Sequence, residues 1–425
     1  MNDELTQLGA VQALGGIRRG DFTALDLTRA CLARIAARDN AVRAWLCLNP
    51  QAEAEAALIT ANDPRPLAGL PIGVKDVFAT AGMPTTYNSP LYAGHRPASD
   101  AAVVMMLRAA GAIIIGKTDT TEFAAAGRDA ATGNPVQPAH TPGGSSAGSA
   151  AAVADFHVPL AIATQTGGST IRPASFCGIY GMKPSFGLIS TEGLKPYAPS
   201  FDTVGFHARH IEDMALLAGV FDLPDNDAVG NITLGLCHTP YHDRLTQPMI
   251  DALTRAANLP CTLPFTLPAE FAEIDSLHRE IMFAEGAAAF LPLARTQPGG
   301  LHQDFRDRVN SRTSATMRAA FSARDRLAGF AMQLEKMMAD AGIAALLAPA
   351  APGTAPLGRS PGNPVFNAIW TALQMPCIAL PAGCHQGLPV GLQLVCPRAS
   401  DAGLLRIAAT IAPQLLNMET PFAPA

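Results

Sequence analysis

The stretch that decides the reading runs from Pro142 to Pro173. It holds Pro142-Gly143-Gly144-Ser145-Ser146-Ala147-Gly148-Ser149 and, further on, Gln165-Thr166-Gly167-Gly168-Ser169-Thr170-Ile171-Arg172-Pro173. Between the two glycine–serine clusters, Ala150 to Ala154 is a run of small apolar residues suited to a buried helix. Pro159 to Thr164 is an apolar stretch suited to a strand. Ser145 and Ser169 stand 24 positions apart, and a strand following a helix can return the chain toward the helix start. Glycines beside both serines let peptide N–H groups approach a small anion, because glycine tolerates positive φ and has no side chain to block access. Two hydroxyls and two glycine nests in one pocket point to acyl chemistry, which still needs a base.

Working outward, the best candidate base lies upstream in Leu70-Pro71-Ile72-Gly73-Val74-Lys75-Asp76. The chain has five lysines against 25 arginines, and Lys75 is the one set in a short apolar stretch. A buried lysine loses the hydration of its charged form, so its pKa falls toward the range where it acts as a base. Pairing with Asp76 is the structural alternative. His140 and His157 lie nearby in sequence but outside the glycine clusters.

Taken together, Gly73-Val74-Lys75-Asp76, the Gly-Gly-Ser-Ser cluster, the Thr-Gly-Gly-Ser cluster and Gly178-Ile179-Tyr180-Gly181-Met182-Lys183-Pro184-Ser185 resemble the amidase signature family. The likeness takes in Leu67 to Lys117 and resumes at Gly387-Leu388-Pro389-Val390-Gly391-Leu392-Gln393. It implies an α/β fold, with a large mixed β-sheet covered on both faces by helices, and one amidase domain over residues 1–425. By position it makes Ser169 the nucleophile, Ser145 the middle serine after a cis peptide from Gly144, and Lys75 the neutral base. The peptide N–H groups of Thr166, Gly167, Gly168 and Ser169 become the oxyanion hole. Gly143 and Gly144 fall at the substrate, as does the wall that begins at Phe123 and Ala124.

One departure is informative. The family pattern has Asp four positions before the nucleophile and Arg two after it. Here those positions hold Gln165 and Ile171, and an arginine stands one place later, at Arg172. The malonamidase-like subgroup resembles this pattern, which implies that Arg172 binds a carboxylate on the substrate, a task suited to a guanidinium fork. A structural ion pair is the alternative.

Composition bounds the rest. Charged residues make up 15% and apolar residues 48%, enough for a large core. A net charge of −5 carries no basic footprint for nucleic acid. No apolar run is long enough to span a membrane, and the N-terminus shows no signal peptide. Eight scattered cysteines without Cys-x-x-Cys spacing read as reduced thiols of a cytoplasmic protein, Cys177 being a packing residue.

Helices are expected at Thr23 to Asp39, with Thr23 and Asp26 as a capping box, at Ala52 to Leu58, and at Val103 to Ala110. A strand is expected at Ala112 to Ile115. By the resemblance, helices within about 1–60 cover the sheet and join a homodimer, and a small helper subunit stays open. Residues 223–342 are read as the variable substrate wall. Within them Ile232 to Leu236 is a strand, the following helix and strand look abbreviated near Leu259-Pro260-Cys261, and Phe321 to Met338 is the clearest helix. Leu346 to Pro349 and Met375 to Pro381 read as core strands.

Tyr87 and Trp370 are equally pocket or core. Lys117 and Arg128 are weak candidates for a second cation. His207 with His210, and His238 with His242, are loosely metal-like, but no further ligand follows at a suitable offset, so neither a metal nor any other cofactor is expected. Gly144 to Gly148 fits the Gly-x-Ser-x-Gly elbow, yet no strand precedes it. No Ser-x-x-Lys or phosphate-loop sequence occurs. The expected activity is hydrolysis of a small non-peptide amide carrying a carboxylate or polar group. Urethane or aryl-amide hydrolysis, and the glutaminase subunit of a tRNA-dependent amidotransferase, are the alternatives. Chain length and the Gln165/Ile171/Arg172 pattern speak against the last.

Overall fold

The computed structural model describes residues 2–224 and 232–417; positions 225–231 of the expected substrate wall and both ends of the 1–425 span lie outside them. Eleven strands form one sheet: β1 (Trp45–Leu48), β2 (Pro71–Lys75), β3 (Ile113–Thr118), β4 (Leu160–Gln165), β5 (Tyr180–Lys183), β6 (Thr203–Ala208), β7 (Leu234–His238), β8 (Thr262–Thr266), β9 (Ala345–Pro349), β10 (Cys377–His385) and β11 (Leu388–Val395). Their order is β1-β3-β2-β4-β6-β5-β10-β11-β9-β7-β8. The sheet is mixed: β2 runs parallel to β3 and β4, whereas β4 and β6 are antiparallel. Every residue of β2, β3, β4, β6, β9 and β11 is buried. Strands with no polar face need cover on both sides, and helices supply it. The edges are wetter, β1 and β8 each exposing alternate or successive residues, as are the C-terminal ends of β7 and β10. No helix among the described residues is long and apolar enough to cross a membrane.

Local expectations hold closely. The first long helix is Ala24–Val42; Thr23 accepts from the Asp26 N–H at 3.1 Å while its own N–H reaches the Asp26 carboxylate at 2.9 Å. The helices Ala52–Ala56 and Ala102–Ala109 and the strand β3 fall where periodicity puts them, β3 running on through Lys117. The helix expected within Phe321 to Met338 extends over Ser314–Asp340. One expectation is corrected. The helix and strand after β7 are not abbreviated: Gln247–Ala256 is a ten-residue helix and β8 pairs parallel with β7. Pro248 sits in the first turn, where its missing N–H costs nothing, and Pro264 is tolerated on an edge strand.

The sheet sets up the site. Parallel register pairs Ile72 with Leu160 and Val74 with Ile162, so the C-terminal ends of β2 and β4 emerge side by side. Lys75 ends β2, and the second glycine cluster leaves β4. The intervening helix, Ala147–Ala154, starts directly after the first serine cluster and runs against neighbouring backbone. At Gly148 a Cβ would lie 2.3 Å from the Ala44 carbonyl and 2.4 Å from the Asp119 nitrogen, which is why this turn has glycine.

Candidate active site

Lys75 is fully buried and does not pair with Asp76. Asp76 turns the other way, to Lys117 at 3.0 Å and to the Thr86 and Tyr87 N–H groups. The Lys75 Nζ instead meets three hydroxyls: Ser145 at 2.7 Å, Ser146 at 2.9 Å and Thr164 at 2.7 Å. Burial pushes its amine well below the usual lysine range, and the Asp202 carboxylate opposes this in part. A neutral amine has two N–H donors and one lone pair. Ser146 donates to the Thr164 carbonyl at 3.2 Å, so toward Lys75 it accepts. With Thr164 taking the second N–H, the lone pair remains for the Ser145 hydroxyl proton.

The Gly144–Ser145 peptide is cis. The Ser169 carbonyl accepts from the Ser146 N–H at 3.4 Å, which joins the two serine clusters. Around Ser169 the loop carbonyls are held from outside. Thr166 O accepts from His278 Nε2 at 2.8 Å, Gly167 O from the Thr371 hydroxyl at 2.7 Å, and Gly168 O from the Arg172 N–H at 3.0 Å. The Thr166 hydroxyl donates to Asp202 at 2.6 Å. Gln165, in place of the family's aspartate, accepts from the Thr170 and Ile171 N–H groups at 2.9 and 3.1 Å. Among the described residues, the N–H groups of Thr166, Gly167, Gly168 and Ser169 have no protein acceptor. Carbonyls tied outward and amides left free are the arrangement of an anion cradle.

Arg172 is buried beside this loop. Its Nε donates to Pro361 O at 2.5 Å and its Nη2 to Gly144 O at 2.6 Å, while Nη1 has no partner. No carboxylate pairs with it among the described residues, so the expected alternative of a structural ion pair is not what holds it.

Other sequence candidates fall differently. Phe123 is fully buried under rings of Phe290 and Phe305, so it underlies the wall; Ala124 beside it is half-buried. Tyr87 packs edge-on against Tyr92 and tilted against Phe123. Gly143 has φ 82° and donates its N–H to the Thr141 hydroxyl. Trp370 is wholly core. Lys117 and Arg128 are spent on Asp76 and Glu122. Cys177 is buried and its thiol faces Pro142 O. His207 bonds the Thr170 carbonyl, and His238 stacks on His242.

Sequence reasoning missed Thr164, Ser146, Asp202, His278 and Thr371 as site residues. Thr164 had a signal, as the hydroxyl that ends the apolar stretch before the second glycine cluster. His278 and Thr371 lie on distant helices and had none.

Known proteins share this architecture. The family model described as Amidase matches residues 26–231. A glutamyl-tRNA(Gln) amidotransferase chain of Chloroflexus aurantiacus is 33% identical over 469 aligned positions, covering 95% of this chain and 96% of that relative. Peptide amidase from Stenotrophomonas maltophilia superposes with a TM-score of 0.83 at 28% identity, over 98% of this chain and 99% of that one. A structure described as an unexpected vestigial protein complex that reveals the evolutionary origins of an s-triazine catabolic enzyme superposes at 0.87 with 26% identity, over 96% and 98%. With a relative one-third identical over nearly the whole chain and solved amidase structures matching the fold, the chain belongs to the amidase signature family and is an amide hydrolase by class.

Proposed function

We propose that the protein hydrolyses a small, linear, non-peptide amide bearing a carboxylate, through an acyl-serine intermediate. Ser169 Oγ attacks the amide carbonyl as its proton passes to Ser145 Oγ, whose own proton goes to the Lys75 lone pair. The Thr166 to Ser169 N–H groups receive the developing oxyanion, each such donor being worth about 10²–10³ in rate. The relay then runs back and protonates the leaving amine. Water repeats the attack on the acyl-serine. The observation that carries this reading is Lys75 itself: buried, without a carboxylate partner, and 2.7 Å from Ser145.

Arg172 supports the substrate half. A buried guanidinium without a counter-charge is costly, and its unpartnered Nη1 lies where a Cβ on Gly168 would meet it at 2.7 Å. A substrate carboxylate arriving there offsets that cost. We read residues 1–425 as one amidase domain, which the continuous sheet supports, and carry forward a homodimer, checked by native mass spectrometry at one or two chain masses.

The test pairs malonamate with malonamide, whose carboxylate is replaced by a neutral amide, in the wild type, Arg172→Lys and Arg172→Ala. Peptide mapping by tandem mass spectrometry locates the acyl adduct. Selective loss on malonamate, with the adduct on Ser169, supports the reading. Equal loss on both compounds removes the carboxylate role, and an adduct elsewhere removes the triad. Urethanes and aryl amides share the acyl-serine route and belong in the same panel. A second reading, the glutaminase subunit of a tRNA-dependent amidotransferase, is favoured by the naming of the 33%-identical relative. Glutamine hydrolysis that requires a co-purifying partner would select it.

A further inference from the structure

A second cation beside the site lacks a counter-charge. Lys195 is half-buried, and among the described residues its ammonium makes no ion pair and no side-chain hydrogen bond. It lies over three aromatic rings instead: 6.0 Å from the Tyr87 centroid, 5.6 Å from Tyr92 and 5.6 Å from Phe123. All three distances fall within the range of cation–π attraction, which offsets part of the lost hydration but leaves the three N–H donors unused. Burial also lowers its pKa.

Backbone hydrogen bonds link its segment to the catalytic elements. The Lys195 N–H bonds the Val77 carbonyl at 2.9 Å, two residues beyond Lys75. The Tyr87 N–H bonds the Asp76 carboxylate, and the Phe123 N–H bonds the Tyr87 carbonyl. Thr121, two residues before Phe123, reaches the Ser145 carbonyl at 3.4 Å. Two residues after Lys195, the Tyr197 N–H bonds Asp202, which holds the Thr166 hydroxyl of the nucleophile loop. The ammonium and its aromatic floor are thus tied to the base strand, the middle serine and the oxyanion loop. A nearby cation, Arg308, is already engaged by the Tyr197 hydroxyl. Arg172 bonds Gly144 and Pro361, whereas the Lys195 ammonium lies over Tyr87, Tyr92 and Phe123.

We propose that Lys195 is a specificity-determining residue that binds a second anionic group of the substrate, remote from the carboxylate at Arg172, against the Tyr87–Tyr92–Phe123 floor. The inference rests on the hydrolase reading above and narrows its substrate class to dianionic amides.

The experiment uses two matched pairs. N-carboxymethylmalonamate is compared with N-methylmalonamate for an anion on the amine side, and 2-carboxymethylmalonamate with 2-methylmalonamate for one on the acyl side. In Lys195→Met, which keeps the aliphatic stem, the dianion-to-monoanion ratio of kcat/KM falls by about tenfold in one pair, and Lys195→Arg restores it. A packing role would lower both members of a pair together. A fall of less than about threefold in both pairs overturns the proposal. Calorimetric binding of the same compounds to Ser169→Ala, with and without Lys195→Met, needs no turnover. Wild type that hydrolyses none of them, while Lys195-dependent binding persists, sinks the carboxylated-amide reading alone. Binding that ignores Lys195 sinks this one.

Discussion

Replacing Thr164 with valine tests the hydroxyl cage around Lys75 without touching the serines. Valine has nearly the same shape and suits a buried strand, so β4 keeps its register. In the proposed relay the neutral amine spends its two N–H donors on Ser146 and Thr164, at 2.9 and 2.7 Å, and turns its lone pair to Ser145. Thr164→Val strands one buried N–H, which costs ~1–3 kcal/mol. Converted to rate, that is about 5- to 150-fold. The low end, about tenfold, is expected because the bonds to Ser145 and Ser146 persist.

The pH profile moves in a set direction. Hydrogen bonds from an ammonium are stronger than those from an amine, so the charged form loses more with the hydroxyl, and the Lys75 pKa falls further. Labelling requires the neutral amine, so its rate rises with pH through the Lys75 pKa, and that acidic limb shifts to lower pH in the variant. The assay is the rate of Ser169 modification by a fluorophosphonate from acid to alkaline pH, followed by intact mass. An alkaline plateau equal to wild type, or a limb displaced upward, refutes the cage as the device that aims Lys75.

Three further outcomes follow from the same contacts. His278→Asn frees the Thr166 carbonyl now held at 2.8 Å; kcat falls by about tenfold with KM little changed, read in steady-state kinetics on an accepted amide. Lys117→Met leaves Asp76 buried without its 3.0 Å partner and costs about 3–5 kcal/mol of stability, seen as a lower denaturation midpoint in urea, whereas labelling of Ser169 in the surviving folded fraction continues. Gly168→Ala places a Cβ 2.5 Å from Asn367 Oδ1 and 2.7 Å from Arg172 Nη1, so labelling collapses while the circular dichroism spectrum stays native.

Much of the site was legible because its parts are short and local. The glycine–serine clusters and the strand before Ser169 are contiguous in the chain, so the resemblance to the family can point to Ser145, Ser169 and Arg172. Periodicity placed the helix Ala24–Val42 and its cap for the same reason. It failed for the helix and strand after β7, where prolines in a first turn and on an edge strand look like breaks but are not.

By itself, then, the sequence determined the order of the chemical groups and the apolar strands that bury Lys75. Only the tertiary structure decided which partner each polar group takes. It gave Asp76 to Lys117 and Lys75 to the hydroxyls, although Lys75 and Asp76 are neighbours in the chain. Lys75 ends β2 and Asp76 begins the turn beyond it, so the amine meets the first serine cluster and Thr164 of β4 while the carboxylate meets Lys117 of β3. His278, Thr371 and Lys195 likewise acquire their places through contacts that closing the fold creates and that no local pattern encodes.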